Sequence, residues 1–172
     1  MMKYNGIAPV ALCLFLLLMT GCGKQDKRPE GYPEIYPITV QVNEKGQPFP
    51  NAGVRFESNS ALEYAIVGTT DETGKAVLET AMGSYIAAGC PLGTYKVTIS
   101  KFDREEVDKL IEQQKQLPPE VEDLKLAAKI AAAESSAKPL VPKQLLRSDM
   151  TPIEVTVDES STAFTFDVNE YK

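Results

Sequence analysis

The chain has 172 residues, of which 43% are hydrophobic and 24% charged, a balance typical of one soluble globular domain. Its net charge of −6, with lysines scattered among glutamates, excludes the basic surface that nucleic-acid binding needs. It contains no histidine and no tryptophan, which excludes Ser-His-Asp and Cys-His catalysis and histidine-ligated metal sites. We therefore predict no catalytic residue, no metal and no cofactor.

Residues 1–21 have the pattern of an export signal. Lys3 and the amino terminus are positively charged, and the thirteen residues 7–19 are all apolar or proline. As a helix this run is about 20 Å long, whereas the hydrocarbon core of a bilayer is about 30 Å thick. We therefore predict an N-terminal signal helix that is removed, rather than a permanent transmembrane helix.

The signal ends in Met19, Thr20, Gly21 and Cys22. This motif resembles the lipobox of bacterial lipoproteins, in which an aliphatic residue and two small residues precede a cysteine. The resemblance implies cleavage between Gly21 and Cys22 and acyl chains on Cys22 that anchor the protein to a membrane of the cell envelope. In such proteins Gly23, in place of an aspartate, favours the outer membrane if the organism has one. Ordinary signal cleavage is the alternative, but it needs a small residue where Met19 stands.

Residues 22–35 are predicted to form a tether. They are mostly polar and contain Pro29 and Pro33. In extended form about fifteen residues could lift a domain by up to roughly 45 Å from the membrane surface. The folded domain is therefore predicted to occupy residues 36–172.

From residue 36 onward, apolar and polar residues alternate with the period of a β-strand. Turn signals at residues 43–46, 70–74 and 158–162 separate the runs, and residues 83–93 are expected to form a glycine-marked loop. The predicted strands centre on residues 38–42, 54–56, 64–69, 76–78, 95–99, 153–157 and 164–168. Seven short strands predict an all-β, seven-stranded antiparallel sandwich.

One helical insertion interrupts this pattern at residues 103–136. Apolar residues recur at helical spacing after Asp103, which we predict to be the N-cap, and Pro118 and Pro119 end the first helix. Residues 120–134 start a second helix, so we expect a helical hairpin. We expect it to dock on its own domain, with contact to a partner as the alternative. We also expect that removing residues 103–150 leaves a folded sandwich.

Four segments carry a resemblance to a known family: Gln47–Pro48 and residues 51–56, 68–76 and 93–99. They resemble the carboxypeptidase regulatory-like domain, a transthyretin-like (prealbumin-like) Greek-key sandwich. Together with the lipobox and the insertion, they are similar to a group of small bacterial lipoproteins. The resemblance covers residues 36–172 and implies an accessory role, without catalytic residues to transfer.

Three other groups of residues could carry chemistry. Asp71 and Glu72 could form a calcium site with Asp26 or Glu79, but a plain turn is expected because no Asp-x-Asp-x-Asp loop is present. Among the inserted carboxylates, Glu105, Glu106 and Glu112 are expected to be solvated rather than catalytic. Cys90 lacks charged neighbours that would stabilise a thiolate, so we expect an inert thiol, with an intermolecular disulfide as the alternative.

These observations leave three hypotheses for function. The first is a non-enzymatic binding or structural module for an envelope protein or a glycan. The second is an accessory subunit of a transport or assembly complex that presents the helical insertion. The third is a transthyretin-type hydrolase, which the absence of histidine makes the weakest.

Overall fold

In the first strand, buried and half-buried residues alternate along the chain. In the computed structural model, which describes Arg28 and residues 30–58, 64–118 and 123–172, strand β1 (Thr39–Glu44) buries Val40 and Val42. The intervening Thr39 and Gln41 are half-buried on the outer face. The predicted signal helix, the cleavage site and residues 22–27 of the tether lie outside the described residues.

Nine further strands and two α-helices follow in the described chain: β2 (Gln47–Pro48), β3 (Gly53–Ser58), β4 (Ala65–Thr69), β5 (Lys75–Val77), β6 (Glu79–Met82), β7 (Tyr85–Ala88), β8 (Gly93–Ser100), α1 (Glu105–Lys115), α2 (Leu124–Ser136), β9 (Glu154–Val157) and β10 (Ala163–Asp167). Short 3₁₀ turns occupy Lys143–Leu146 and Val168–Tyr171.

The strands form two sheets. In the smaller sheet β1 pairs with β10 on one edge, in parallel, and antiparallel with β5 and β2 on the other. The larger sheet is antiparallel, in the order β7-β6-β4-β3-β8-β9. The protein is therefore mostly β, with a sandwich-like arrangement of two sheets, and the two helices are inserted between β8 and β9.

The core lies between the two sheets and consists mainly of the inward-facing residues of both, with additional residues from the connecting segments. Phe56 and Tyr95 are its two largest fully buried side chains, and the Phe56 ring lies 5.9 Å from that of Tyr95 and 6.0 Å from that of Phe164. Fully burying one large apolar side chain contributes about 1.5–3 kcal/mol. The inward-facing apolar residues at strand spacing are thus what holds the sheets together.

The strand predictions need four corrections. The described residues contain ten strands rather than seven, and the β1–β10 pair is parallel rather than antiparallel. The stretch predicted as one strand at residues 76–78 is divided at Leu78, where the chain passes from the smaller sheet to the larger. Part of the loop predicted at residues 83–93 is strand β7, which pairs with β6.

The helical insertion lies where the sequence predicts it, but the caps differ. Helix α1 begins at Glu105 with Arg104 as its N-cap residue, and Asp103 instead accepts a hydrogen bond from the Glu105 N–H at 3.2 Å. Helix α2 has a true side-chain cap, because Asp123 accepts hydrogen bonds from the N–H groups of Lys125 and Leu126. Such a cap contributes about 1 kcal/mol to helix stability.

Residues 141–153 belong to the sandwich. Val141, Leu145 and Ile153 are buried and form part of the main core. Thr151 donates a hydrogen bond to the Val97 carbonyl oxygen at 2.7 Å, which ties this segment to β8. The expectation that residues 103–150 can be removed without harm is therefore wrong at its C-terminal end, since that deletion takes away core side chains.

Candidate functional site

The predicted lipidation site, Cys22, and its cleavage partner Gly21 lie outside the described residues, but the junction of the tether with the domain is described. Tyr36 and Cys90 form an isolated antiparallel bridge, with N···O distances of 2.9 Å and 2.8 Å in its two backbone hydrogen bonds. Tyr32 and Ile35 are half-buried. The last residues of the predicted tether therefore lie against the domain.

Gly89 makes the close approach at this junction possible. Its φ is +120°, a conformation that side-chain-bearing residues rarely adopt, and an added Cβ would collide with the Tyr36 carbonyl group. Its N–H donates a hydrogen bond to the Leu78 carbonyl oxygen, 2.6 Å away. The junction thus depends on a glycine at this position.

Cys90 is a free thiol that is completely buried at the same junction. Burial raises its pKa to about 11, and a hydrogen bond with Tyr95 opposes part of that rise. The thiol donates to the Pro91 carbonyl oxygen, which also accepts from the Tyr95 hydroxyl at 2.9 Å. Because a protonated thiol is a poor nucleophile, this cysteine acts as a small packed side chain at neutral pH.

The helical hairpin joins the sandwich through a short two-stranded neck. The Leu140 N–H donates to the Lys101 carbonyl oxygen at 2.8 Å, and the Asp103 N–H donates to the Lys138 carbonyl oxygen at 2.9 Å. Phe102, which faces Pro139 across this neck, is 44% exposed. The neck therefore fixes the base of the hairpin by backbone pairing and leaves an aromatic side chain partly open to solvent.

The two helices pack mainly on each other. Their buried residues are Val107, Leu126 and Ala133, and none of these belongs to the main core cluster. Among the described residues, α1 and α2 make their extensive contact with each other and neither packs extensively on a strand. The expectation that the hairpin docks on its own domain is therefore wrong, because its apolar stripe is used between the helices.

Clefts flank the packed helices. One, of about 410 Å³, is lined by three acidic side chains, two lysines and small residues: Asp103, Glu105, Glu106, Val107, Lys109, Ala133, Ser136, Ala137 and Lys138. A second, of about 450 Å³, lies between Glu106 and Leu110 on α1 and Lys129 and Ala132 on α2. Both clefts are open and have charged side chains in their lining, unlike the enclosed and mostly apolar pockets that usually hold small molecules.

The outer face of the larger sheet carries a shallow groove of about 360 Å³. Its polar lining includes Arg55, Glu57, Thr69, Thr98 and Ser100. No aromatic side chain is among the described residues that line it. The groove can offer hydrogen bonds to a polar ligand but no stacking platform for a sugar ring.

The turn carboxylate singled out by the sequence is engaged in local structure. Asp71 accepts hydrogen bonds from the N–H groups of Thr73 and Lys75 and from the Thr73 hydroxyl, and these bonds lower its pKa. In the parts of the chain that the structure describes, no group of three potential metal-ligating side chains is found. The hydrogen bonds of Asp71 are those of a tight turn, as the sequence predicts, and Asp26 lies outside the described residues.

The helix carboxylates are exposed and paired with lysines. Glu105 lies 2.7 Å from Lys109, and Glu112 lies 3.6 Å from Lys115, each pair on the surface of α1. Such exposed pairs are solvated and contribute little to stability.

Comparison with protein-family models, with curated proteins and with solved structures gave no match for this chain. Within the described residues, no helix combines the length and the apolar character needed to cross a membrane.

Proposed function

We propose that this chain is a lipid-anchored protein of the bacterial cell envelope, cleaved between Gly21 and Cys22 and held to a membrane by acyl chains on Cys22. The observation that carries this proposal is the order of the first 22 residues: a positive start, an apolar run and two small residues before a cysteine. Each buried methylene contributes about 0.8 kcal/mol, so two or three chains give durable attachment. Gly23 favours the outer membrane if the organism has one.

The domain on this anchor is proposed to be a non-enzymatic binding or structural module for an envelope protein or a glycan. The sequence has no histidine, the Cys90 thiol is buried with a raised pKa, and the helix carboxylates are solvated. These features support a role in binding rather than in catalysis.

The finer assignment of the fold is part of the proposal. A Greek-key, transthyretin-like domain of the carboxypeptidase regulatory-like type is supported by where its motifs lie. The Gly-Thr-Tyr motif at residues 93–95 begins β8, and residues 71–74 form a tight turn in which Gly74 has φ +76°.

The position of the hairpin favours a second candidate function, an accessory subunit that presents the hairpin to a transport or assembly complex. Helices α1 and α2 contribute nothing to the main core, so the stability of the sandwich does not account for their presence. A capture experiment distinguishes the two candidates. The intact chain and a variant without residues 105–136 would be recovered from detergent-solubilised membranes of the host. Loss of the bound partner with the hairpin supports the accessory role, and retention supports a site on the sandwich.

Metabolic labelling tests the anchor. A Cys22→Ser variant should incorporate no labelled fatty acid and should accumulate as uncleaved precursor, because serine lacks the thiol that accepts the lipid. Cys13→Ala, which changes the other cysteine of the export region, is the matched control and should be labelled normally. Labelling of the Cys22→Ser variant would contradict the proposal.

A further inference from the structure

The tether enters the sandwich at one end. Tyr36 pairs with Cys90, and three residues later Gly93 begins β8. Gly93 pairs with Val157, the last residue of β9, and the turn at residues 158–162 follows directly. This turn is close to the start of β1, because the Thr39 N–H donates to the Thr162 carbonyl oxygen. We call the end formed by these residues the tether end.

The hairpin leaves the sandwich at the other end. Strand β8 runs from Gly93 to Ser100, and Ser100 pairs with Gly53, which in turn pairs with Thr69. Residues 101–103 then continue directly into the neck. We call this the hairpin end. Because β8 is a continuous strand of eight residues, the two ends are separated by about 25 Å.

The tether is short compared with the domain, so placing the hairpin end at the bilayer would cost conformational entropy. Arg28, Tyr32, Pro33 and Ile35 are half-buried, and ten residues, 22–31, precede Tyr32 in the proposed mature chain. Ten residues span at most about 33 Å when fully extended. To bring the hairpin end to the bilayer, the tether would have to run back along about 25 Å of domain and lose most of its conformational freedom.

The negative charge of the hairpin also disfavours its contact with the bilayer. Residues 103–137 contain nine acidic and five basic side chains. An excess of negative charge is repelled by the anionic lipids of a membrane surface. Both the short tether and the charge keep the hairpin away from the anchoring bilayer.

From this topology we infer that the protein stands with its tether end towards the anchoring membrane and its helical hairpin at the outward end. The inference rests on the proposed lipid anchor at Cys22. It deepens the proposed function because it states where the partner of the hairpin lies: outside the anchoring bilayer, beyond the sandwich, and not embedded in the same membrane.

Energy transfer to the bilayer tests the inference with the full lipidated chain. A fluorophore would be attached through Glu159→Cys at the tether end or Gln113→Cys on the hairpin, both at exposed positions. Cys90 is buried and gives no background label. The probe is a phosphatidylcholine–phosphatidylethanolamine vesicle with an acceptor dye on some headgroups. Transfer should be roughly twofold or more stronger from position 159, given the separation of about 25 Å.

Flotation of the vesicles separates the two ways in which this experiment can fail. Protein that does not float with the vesicles contradicts the lipid anchor itself. Protein that floats but shows equal transfer from both positions, or stronger transfer from position 113, overturns the orientation and leaves the anchor intact. Strong transfer from position 159 alone supports both.

Discussion

At the scale of single residues, the junction between tether and domain depends on Gly89. Its positive φ and its close approach to the Tyr36 carbonyl group leave no room for a Cβ atom. Gly83 also has a positive φ, of +63°, but nothing lies within 4 Å of where its Cβ would be. Substitution of Gly83 therefore measures the free-energy cost of the positive φ alone, whereas substitution of Gly89 adds the cost of a collision.

We expect Gly89→Ala to lower the free energy of unfolding by about 2–4 kcal/mol and Gly83→Ala by about 1 kcal/mol, because only the former adds a collision to the strain of a positive φ. Urea unfolding of both variants measures the difference. Equal losses would show that the bridge between Tyr36 and Cys90 does not constrain position 89.

Cys90 provides a second prediction at this scale. The buried thiol should be alkylated slowly in the folded protein at mildly alkaline pH and roughly tenfold or more faster in urea, since unfolding removes the burial that raises its pKa. Its neutral form is favoured by the fold, so the stability that it contributes is present at neutral pH and is lost as the pH rises towards 11. Mass spectrometry of the alkylated peptide reports the rate, with an introduced Glu159→Cys as the exposed control.

At the scale of elements, the sequence predicted most strands because their apolar residues alternate. Val40 and Val42 in β1 and Tyr95, Val97 and Ile99 in β8 are all buried as their spacing indicates. Strand β7 escaped prediction because its short run of Tyr, Ile and two Ala is flanked by glycines, which indicate a loop.

Other features of the fold had no local signal in the sequence. The parallel pairing of β1 with β10 joins strands that are more than 100 residues apart, so no turn motif between them indicates it. The burial of Val141 and Leu145 depends on where the irregular segment after α2 returns to the sandwich. Of the candidate site, the position of the hairpin was predictable, whereas its separation from the core was not.

Removal of the hairpin tests whether the two helices fold apart from the core while residues 141–150 belong to it. Joining Arg104 to Ala137 through an Asn-Gly turn should keep unfolding cooperative, because the neck already brings the two strands into hydrogen-bonding contact. Deleting residues 103–150 should instead abolish it, since the loss of each large buried apolar side chain costs about 2–5 kcal/mol. Thermal melting followed by circular dichroism compares the two variants. A cooperative transition after the longer deletion would contradict the core role of Val141 and Leu145.

At the scale of the whole molecule, the tether end and the hairpin end lie at the two ends of strand β8. One main core extends between these ends and includes Cys90 near the tether end and Ile99 near the hairpin end. In the inferred orientation, the sandwich separates the hairpin from the anchoring membrane. The proposed function and the inferred orientation both presume that the mature chain begins at a lipid-bearing cysteine.

Intact mass analysis of the mature protein, purified from its native host in detergent and combined with sequencing of its first peptide, tests that presumption most directly. We predict a chain that begins at Cys22 and carries a diacylglycerol on the sulfur. A chain that begins at any other residue, or a Cys22 without lipid, would contradict the account.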